Sequence, residues 1–209
     1  MTPDVQMRPA TPADRAACYR VCLQTSDNGA DGTHLHDDPD LLGHIYVGPY
    51  LEFEPSFSFV LEDAAGVCGY CLGTPDSTRF YRRFEREWLP AIQRAVPKPA
   101  GQPAGWTLTQ QLQNVIHHPA PLMHFPPEFG AWPAHGHIDL LPRVQGRGWG
   151  RRLMELQMER LRDAGATGMH LCVAPGNSRA QAFYRRLGFF ELDAGTDQPP
   201  DTLFLGRTL

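Results

Sequence analysis

Gln145-Gly146-Arg147-Gly148-Trp149-Gly150 stands between an apolar run, His137-Ile138-Asp139-Leu140-Leu141, and a segment whose apolar residues recur at helical spacing. A glycine turn between strand and helix leaves the first N–H groups of the helix unpaired and aims the positive end of its dipole outward, which makes an anion site. Gly148 and Gly150 carry no side chain to hold a diphosphate off the backbone, and Arg147, Arg151 and Arg152 bring positive charge beside it. The spacing is neither the dinucleotide G-x-G-x-x-G nor a Walker loop, since no GK[ST] follows. On the turn alone, a solvated Gly-rich loop explains the pattern equally well. Asp139 interrupts an apolar strand, and a buried carboxylate there needs a partner, whether a structural hydrogen bond or a proton to accept. His137, two residues earlier, shares its face of the strand.

Other chemistry is less well specified. His34-x-His36 and His135-x-His137 each present two imidazoles, but a catalytic zinc wants a third protein ligand, and nothing in the sequence names one; no metal is expected. Cys68-Gly-Tyr-Cys71 lies in a strand-like run, where residues three apart point to opposite faces, so neither a shared metal nor a disulfide is expected. Arg79 to Arg86 (RFYRRFER) reads as the solvated face of a helix.

The elements that must position these residues can be read from periodicity and breakers. Val5 to Arg8 is a strand candidate, and Thr11-Pro12-Ala13-Asp14 opens a helix bearing Ala17, Cys18, Val21 and Cys22 on its apolar side. A Gly/Asp loop, SDNGADGT, ends it, and a short helix starts near Pro39-Asp40-Leu41-Leu42. Phe57 to Glu62 and Val67 to Gly73 form a hairpin around Asp63-Ala64-Ala65-Gly66. From Thr74 to about Pro133 the pattern changes to an insertion with helices over Arg79 to Val96 and Thr107 to His117, divided by PKPAGQPAG and followed by a Pro-rich stretch. Its apolar residues are too sparse for a separate core, so it should pack on the main domain. After the glycine turn come a helix carrying Leu153, Met154, Met158 and Leu161, a strand over Met169 to Val173, and a helix capped by Asn177 and stopped by Gly188. Strands near Phe189 to Leu192 and Thr202 to Leu205 close the chain.

Its 209 residues fit one domain, residues 1–209, with the insertion at about 74–133. Lys+Arg 19 against Asp+Glu 23 gives a net charge of -4, which supplies no basic field for nucleic acid. No apolar run approaches the roughly 18 residues of a spanning helix, and the N-terminus lacks the apolar centre of a secretion signal. No membrane partner and a cytoplasmic location are therefore expected, in keeping with an odd count of 5 cysteines that fits free thiols.

Two ordered patterns resemble the GNAT acetyltransferase superfamily. Its Q/R-x-x-G-x-G/A loop corresponds to Gln145 to Gly150, and its N-x-x-A-x-x-F-Y-x-x-L-G-F signature to Asn177 to Phe189. The resemblance implies an α/β fold with a mixed sheet splayed at its middle and the insertion between the third and fourth strands. It implies acetyl-CoA in the splay, its pantetheine arm against the backbone of Leu140 and Leu141, its diphosphate on Gln145, Gly146, Arg147, Gly148, Trp149 and Gly150, and its thioester near Asn177 and Tyr184, with Arg151 and Phe183 as further cofactor contacts. Tyr184 would be the acid that protonates departing thiolate, although aromatic core is its other reading, since Ala180, Phe183, Tyr184 and Leu187 share a helix face. The loop after the first helix would border the acceptor pocket, making Asp27, Asp31, His34 and His36 candidate acceptor contacts; His137, on the strand that meets the cofactor, is a further candidate, and Asp139 on the same strand is the leading general base. For Asp27 and Asp31, ordinary turn chemistry is an equal alternative.

A narrower resemblance, in SDNGADG, PDLLG, FVLED, GVCGY, LGT and the terminal LGR, is to the acetyltransferase-like domain at the C-terminus of O-GlcNAcase enzymes and its free-standing bacterial relatives. Animal members of that group lack the glycine loop and are regarded as pseudo-acetyltransferases, whereas this chain has it. The implied function is transfer of acetyl to an amine, whether a small amine, an amino sugar or a protein amine; a silent acetyl-CoA-binding or protein-interaction module is the alternative. The insertion is expected to roof the acceptor side.

Overall fold

A single antiparallel hairpin organises the first half of the sheet. β2 (Ser58–Asp63) and β3 (Gly66–Thr74) turn at Ala64-Ala65, with Asp63 opposite Gly66, whose φ of 98° suits glycine at a two-residue turn. β1 (Gln6–Pro9) pairs with β2 on one side, and β4 (Ala134–Leu140) pairs with β3 on the other. β5 (Gly168–Val173), β6 (Phe190–Glu191) and β7 (Leu203–Thr208) complete a 7-stranded sheet in the order β1-β2-β3-β4-β5-β7-β6. This computed structural model describes residues 5–123, 126–195 and 202–209. The insertion occupies most of the middle third of the sequence and falls, as expected, between the third and fourth strands.

The one parallel pairing decides the shape. β4 and β5 share a ladder only at Ala134↔Met169 and His135↔His170, after which β5 pairs with β7 alone and β4 with β3 alone. The sheet therefore parts beyond His135. The expected splay is present, and it opens at the ends of β4 and β5 where their following loops lie.

Helices cover both faces. α1 (Arg15–Leu23) buries Cys18, Tyr19, Val21 and Cys22, and α2 (Leu41–Tyr46) and α3 (Gly48–Phe53) pack beside it. Its entrance is held by Asp14, which accepts two bonds from the Arg8 guanidinium and is thereby held at about 2, well below its ordinary value. α8 (Trp149–Asp163) packs on the opposite face, where Met154 and Gln157 meet Cys71. The insertion begins with α4 (Ser77–Arg83) and α5 (Leu89–Ala95), joined by a π turn over Phe84–Trp88 rather than by uninterrupted α-helix. Pro90 has no N–H to continue the ladder, which accounts for the widened turn just before it. α6 (Leu108–His117) and α7 (Ala120–Met123) follow. Phe84, Leu89, Val96 and Ile116 of the insertion are buried against Leu41 and Ile45 of α2, so the insertion shares its apolar cluster with the main fold.

α8 (Trp149–Asp163) and α9 (Ser178–Arg186) bring the two sequence signatures to the open end of the sheet. α8 starts at Trp149, earlier than the glycine pattern suggests, because Gly148 serves as its N-cap. β4 begins three residues before His137, taking in the His135 of the histidine pair. The five cysteines are free; Cys68 and Cys71 point to opposite faces of β3, toward Leu61 O and Gln157 Oε1. Among the described residues no helix is long and apolar enough to cross a membrane.

Candidate active site

The parted strands enclose a cleft of about 880 Å³ that runs from the glycine loop, past β4, to the loop after α1. Its β4 wall has free backbone. The Leu141 N–H donates to Cys68 O at 2.8 Å, so in this antiparallel ladder residues 135, 137, 139 and 141 turn their backbone groups to β3 and residues 136, 138 and 140 turn theirs to the gap. This corrects the expectation for Leu141, whose N–H is already taken. Leu140 does border the gap, but its carbonyl accepts from Gln145 Nε2 at 2.6 Å, leaving Ile138 as the residue with both groups facing the opening.

At one end, the first N–H groups of α8 have no helical partners, and the 15-residue helix sums its dipole behind them. Gly148 has φ 81° and Gly146 φ 71°, and a Cβ at either would meet nothing within 4 Å. The space a diphosphate needs is open at both. Gly150 has another role: a Cβ there would lie 3.3 Å from Leu140 Cδ1 and Phe183 Cζ, so it lets α8 approach β4 and α9 closely. Gln145 also accepts from Arg179, tying the loop to α9. Arg151 lines this end and pairs with Glu155 at 3.1 Å.

At the other end, β3 and β4 place Tyr70 directly opposite Asp139, and the tyrosine O–H donates to Asp139 Oδ2. Burial raises the Asp139 carboxyl to about 6, with the Tyr70 bond opposing the shift. A carboxylate with that affinity is poised to take up a proton near neutrality. The same shift has a consequence for stability. Because the folded value lies above the ordinary 3.8, Asp139 contributes stability that is complete below pH ~3.8 and lost as pH rises through about 6. Asp139→Asn should therefore gain roughly 1–3 kcal/mol of stability relative to the parent between pH 4 and pH 8, measured by denaturant unfolding at both; an equal difference at the two pH values would contradict the burial argument.

Tyr184 is buried in the cleft wall against Phe183 and Phe189, and among the described residues its hydroxyl has no hydrogen-bond partner. Burial, with the nearby charge of Asp139, raises its pKa well above the ordinary phenol value. It is thus held protonated, as a donor must be. Asn177 borders the cleft while its Oδ1 caps α9 through Ala180 N at 3.0 Å.

His137 and Asp139 come together on one face as expected, and Gln145, Gly146, Gly148, Gly150, Arg151 and Phe183 also line the cleft. Arg147 and Trp149 do not: Trp149 packs against the apolar core, with Arg152 over its ring at 4.8 Å. Asp27, Asp31 and His34 are exposed and lie outside the cleft lining, where their neighbours Thr25, Ser26 and Asn28 take part. Asp31 Oδ1 accepts from the Thr33 N–H and hydroxyl, and Asp27 pairs through its backbone with Ala30: both realise the turn alternative. The described residues of the insertion do not roof the cleft either. None of them lines it; α4 instead packs at the start of β4, where Ser77 and Tyr81 reach His135. Among the described residues no three His, Cys, Asp or Glu side chains converge on a metal position. Sequence reasoning missed Tyr70 and Tyr50. The signal for Tyr70 was the β3/β4 register, which puts it across from Asp139; Tyr50, on α3, left no pattern.

The profile of the acetyltransferase (GNAT) family matches residues 30–189. The chain is 31% identical over 204 residues to Protein O-GlcNAcase of Rattus norvegicus and of Mus musculus, covering 97% of its own length and 22% of theirs, so it spans about a fifth of those relatives. Among solved structures, SsHAT is 38% identical and superimposes with a TM-score of 0.88 over 99% of this chain and 98% of that one. The structure of yncA from Salmonella typhimurium with acetyl-CoA shares the fold at 15% identity and a TM-score of 0.55, covering 98% and 93%. The profile match, spanning the splayed sheet, the glycine loop and α9, shows that the chain belongs to the acetyltransferase (GNAT) family.

Proposed function

We propose that the chain is an N-acetyltransferase that uses acetyl-CoA as donor and an amine as acceptor. The observation that carries this reading is the cleft itself, which joins an open, positively polarised helix start to a poised carboxylate and an unpartnered tyrosine hydroxyl. The residues fit the donor: the backbone around Gly146 and Gly148 is clear of side chains, and Ile138 turns its N–H and C=O toward the gap, as an extended amide-bearing arm requires. When bound, acetyl-CoA supplies the activated acyl carbon and the thiolate leaving group.

The protein's part is proton management and positioning. Asp139 takes a proton from the amine nitrogen, which becomes acidic as its lone pair bonds to the acyl carbon. Tyr184 gives its proton to the departing sulfur as the C–S bond breaks, which leaves an amide and free thiol. The two groups are close enough for the charge on Asp139 to raise the Tyr184 value, so the carboxylate helps keep the acid loaded until it is used.

Calorimetry with acetyl-CoA, followed by thiol release across a panel of small amines, amino sugars and lysine peptides, tests the proposal. Heat of binding and acceptor-dependent thiol release are expected. Binding without release on every acceptor would favour a silent module, and absence of binding would remove the donor assignment altogether.

A further inference from the structure

Four side chains, running from the cleft wall into the core, form a chain of contacts whose proton positions can be solved. Ser77 Oγ lies 2.7 Å from Pro133 O and 2.6 Å from His135 Nδ1. His135 Nε2 lies 2.6 Å from the Tyr50 hydroxyl, which lies 3.0 Å from His137 Nε2. A carbonyl oxygen has no proton to give, so the 2.7 Å contact is a hydrogen bond only if Ser77 donates to Pro133 O. Ser77 has no second proton and must accept from His135 Nδ1–H. The neutral His135 then has its lone pair on Nε2, which accepts from Tyr50, and the Tyr50 oxygen accepts from His137 Nε2–H. Pro133 O accepts from the Ser77 backbone N–H at 2.8 Å in either case, but running the chain the other way sets the Ser77 Oγ and Pro133 O lone pairs against each other at 2.7 Å with no proton between them. Each contact holds one proton in one arrangement only.

The surroundings keep the four groups neutral and in place. Tyr81 stacks on His135 with ring centroids 5.0 Å apart and planes 6° from parallel, and Phe80 stacks on Tyr50 at 4.3 Å. Burial depresses His137 to about 4 and His135 well below its ordinary value. His137 is thus a neutral ring with a lone pair on Nδ1, which makes no hydrogen bond among the described residues, and the residue lines the cleft.

We infer that the Ser77–His135–Tyr50–His137 chain fixes His137 as a hydrogen-bond acceptor in the acceptor-binding end of the cleft, so that the acceptor substrate carries a hydroxyl or N–H donor beside its reactive amine. His137 and Asp139 are two residues apart on one strand face, about 7 Å. An acceptor whose amine meets Asp139 would therefore place its second donor at about that remove, as in an amino alcohol, an amino sugar or a peptide, and a plain alkylamine would leave the imidazole lone pair unmet. His137 is a specificity-determining residue here, and Ser77, His135 and Tyr50 are positioning residues. The substrate class rests on the acetyl-transfer reading; the tautomer does not.

Long-range ¹H–¹⁵N spectra of the histidine-labelled full chain test both parts. With no ligand, His137 should be protonated on Nε2 and His135 on Nδ1; the opposite tautomers would overturn the inference. Ser77→Ala should turn the single His137 tautomer into a mixture although Ser77 does not touch His137, and Tyr50→Phe should do the same if the first variant does not fold. An unchanged His137 tautomer in a folded variant would show that the chain exerts no control. With CoA present, 4-aminobutan-1-ol should move the His137 Nδ1 signal with at least about fivefold higher affinity than n-pentylamine, as one net hydrogen bond allows; equal responses would remove the selectivity. A chain that fails to bind acetyl-CoA while keeping the stated tautomers would sink the transferase reading alone.

Discussion

Asp139→Asn should lower kcat by roughly 10²- to 10⁴-fold with the best acceptor of the panel, the span by which a positioned general base commonly speeds a reaction. Asparagine can still accept the Tyr70 hydrogen bond and keeps the side-chain volume, so the loss would report chemistry rather than collapse. The pH profile separates a base from a structural group. In the parent, kcat should rise as pH climbs through about 6, because only the ionised Asp139 accepts a proton, and the variant should lose that limb. Tyr70→Phe supplies the complementary sign. Its O–H holds the carboxyl down, so removing it should push the acid limb to higher pH. A flat Asp139→Asn effect, or a limb that stays in place without Tyr70, would move the base elsewhere.

The second large effect is at the glycine loop. Gly148→Leu should weaken acetyl-CoA binding by roughly 10- to 100-fold in calorimetry, since the side chain would fill the space beside the α8 amides and displace at least one charge-assisted hydrogen bond. Gly148 is left-handed at φ 81°, so any side chain also strains the backbone by about 1–2 kcal/mol. A matched control flanks the same helix. Gly165, just beyond its far end, has φ 90° and equally open surroundings, but it is not part of the cleft. Gly165→Leu should cost similar stability and leave binding intact; parallel losses in both variants would mean that strain, not obstruction, governs the loop.

Much of this site was legible because its parts are local. The glycine loop, the Asn177 cap and the face shared by His137 and Asp139 are properties of a few consecutive residues, and local chemistry of that kind survives folding. The partners of Asp139 and His137 come from 69 and 87 residues away, through a strand register and a helix whose placement no periodicity encodes. The insertion shows the same limit. Its sparse apolar residues pointed to packing on the main fold, and Phe84, Leu89, Val96 and Ile116 do meet Leu41 and Ile45, but no local pattern foretold that α4 would reach the start of β4 through Ser77 and His135. Asp31 illustrates the reverse case: a carboxylate beside glycine invited a functional role, and its Oδ1 instead accepts two bonds from Thr33 in an ordinary turn.

The seam between β4 and β5 is stitched by just two rungs, at Ala134 and His135. Whatever extended molecule lies along the remaining length of β4 stands where a neighbouring strand would otherwise run, and the amides of that edge give it the bonds they would have given the strand. Such a guest would be a temporary girder of its host, adding rungs to the two that already join the halves of the sheet.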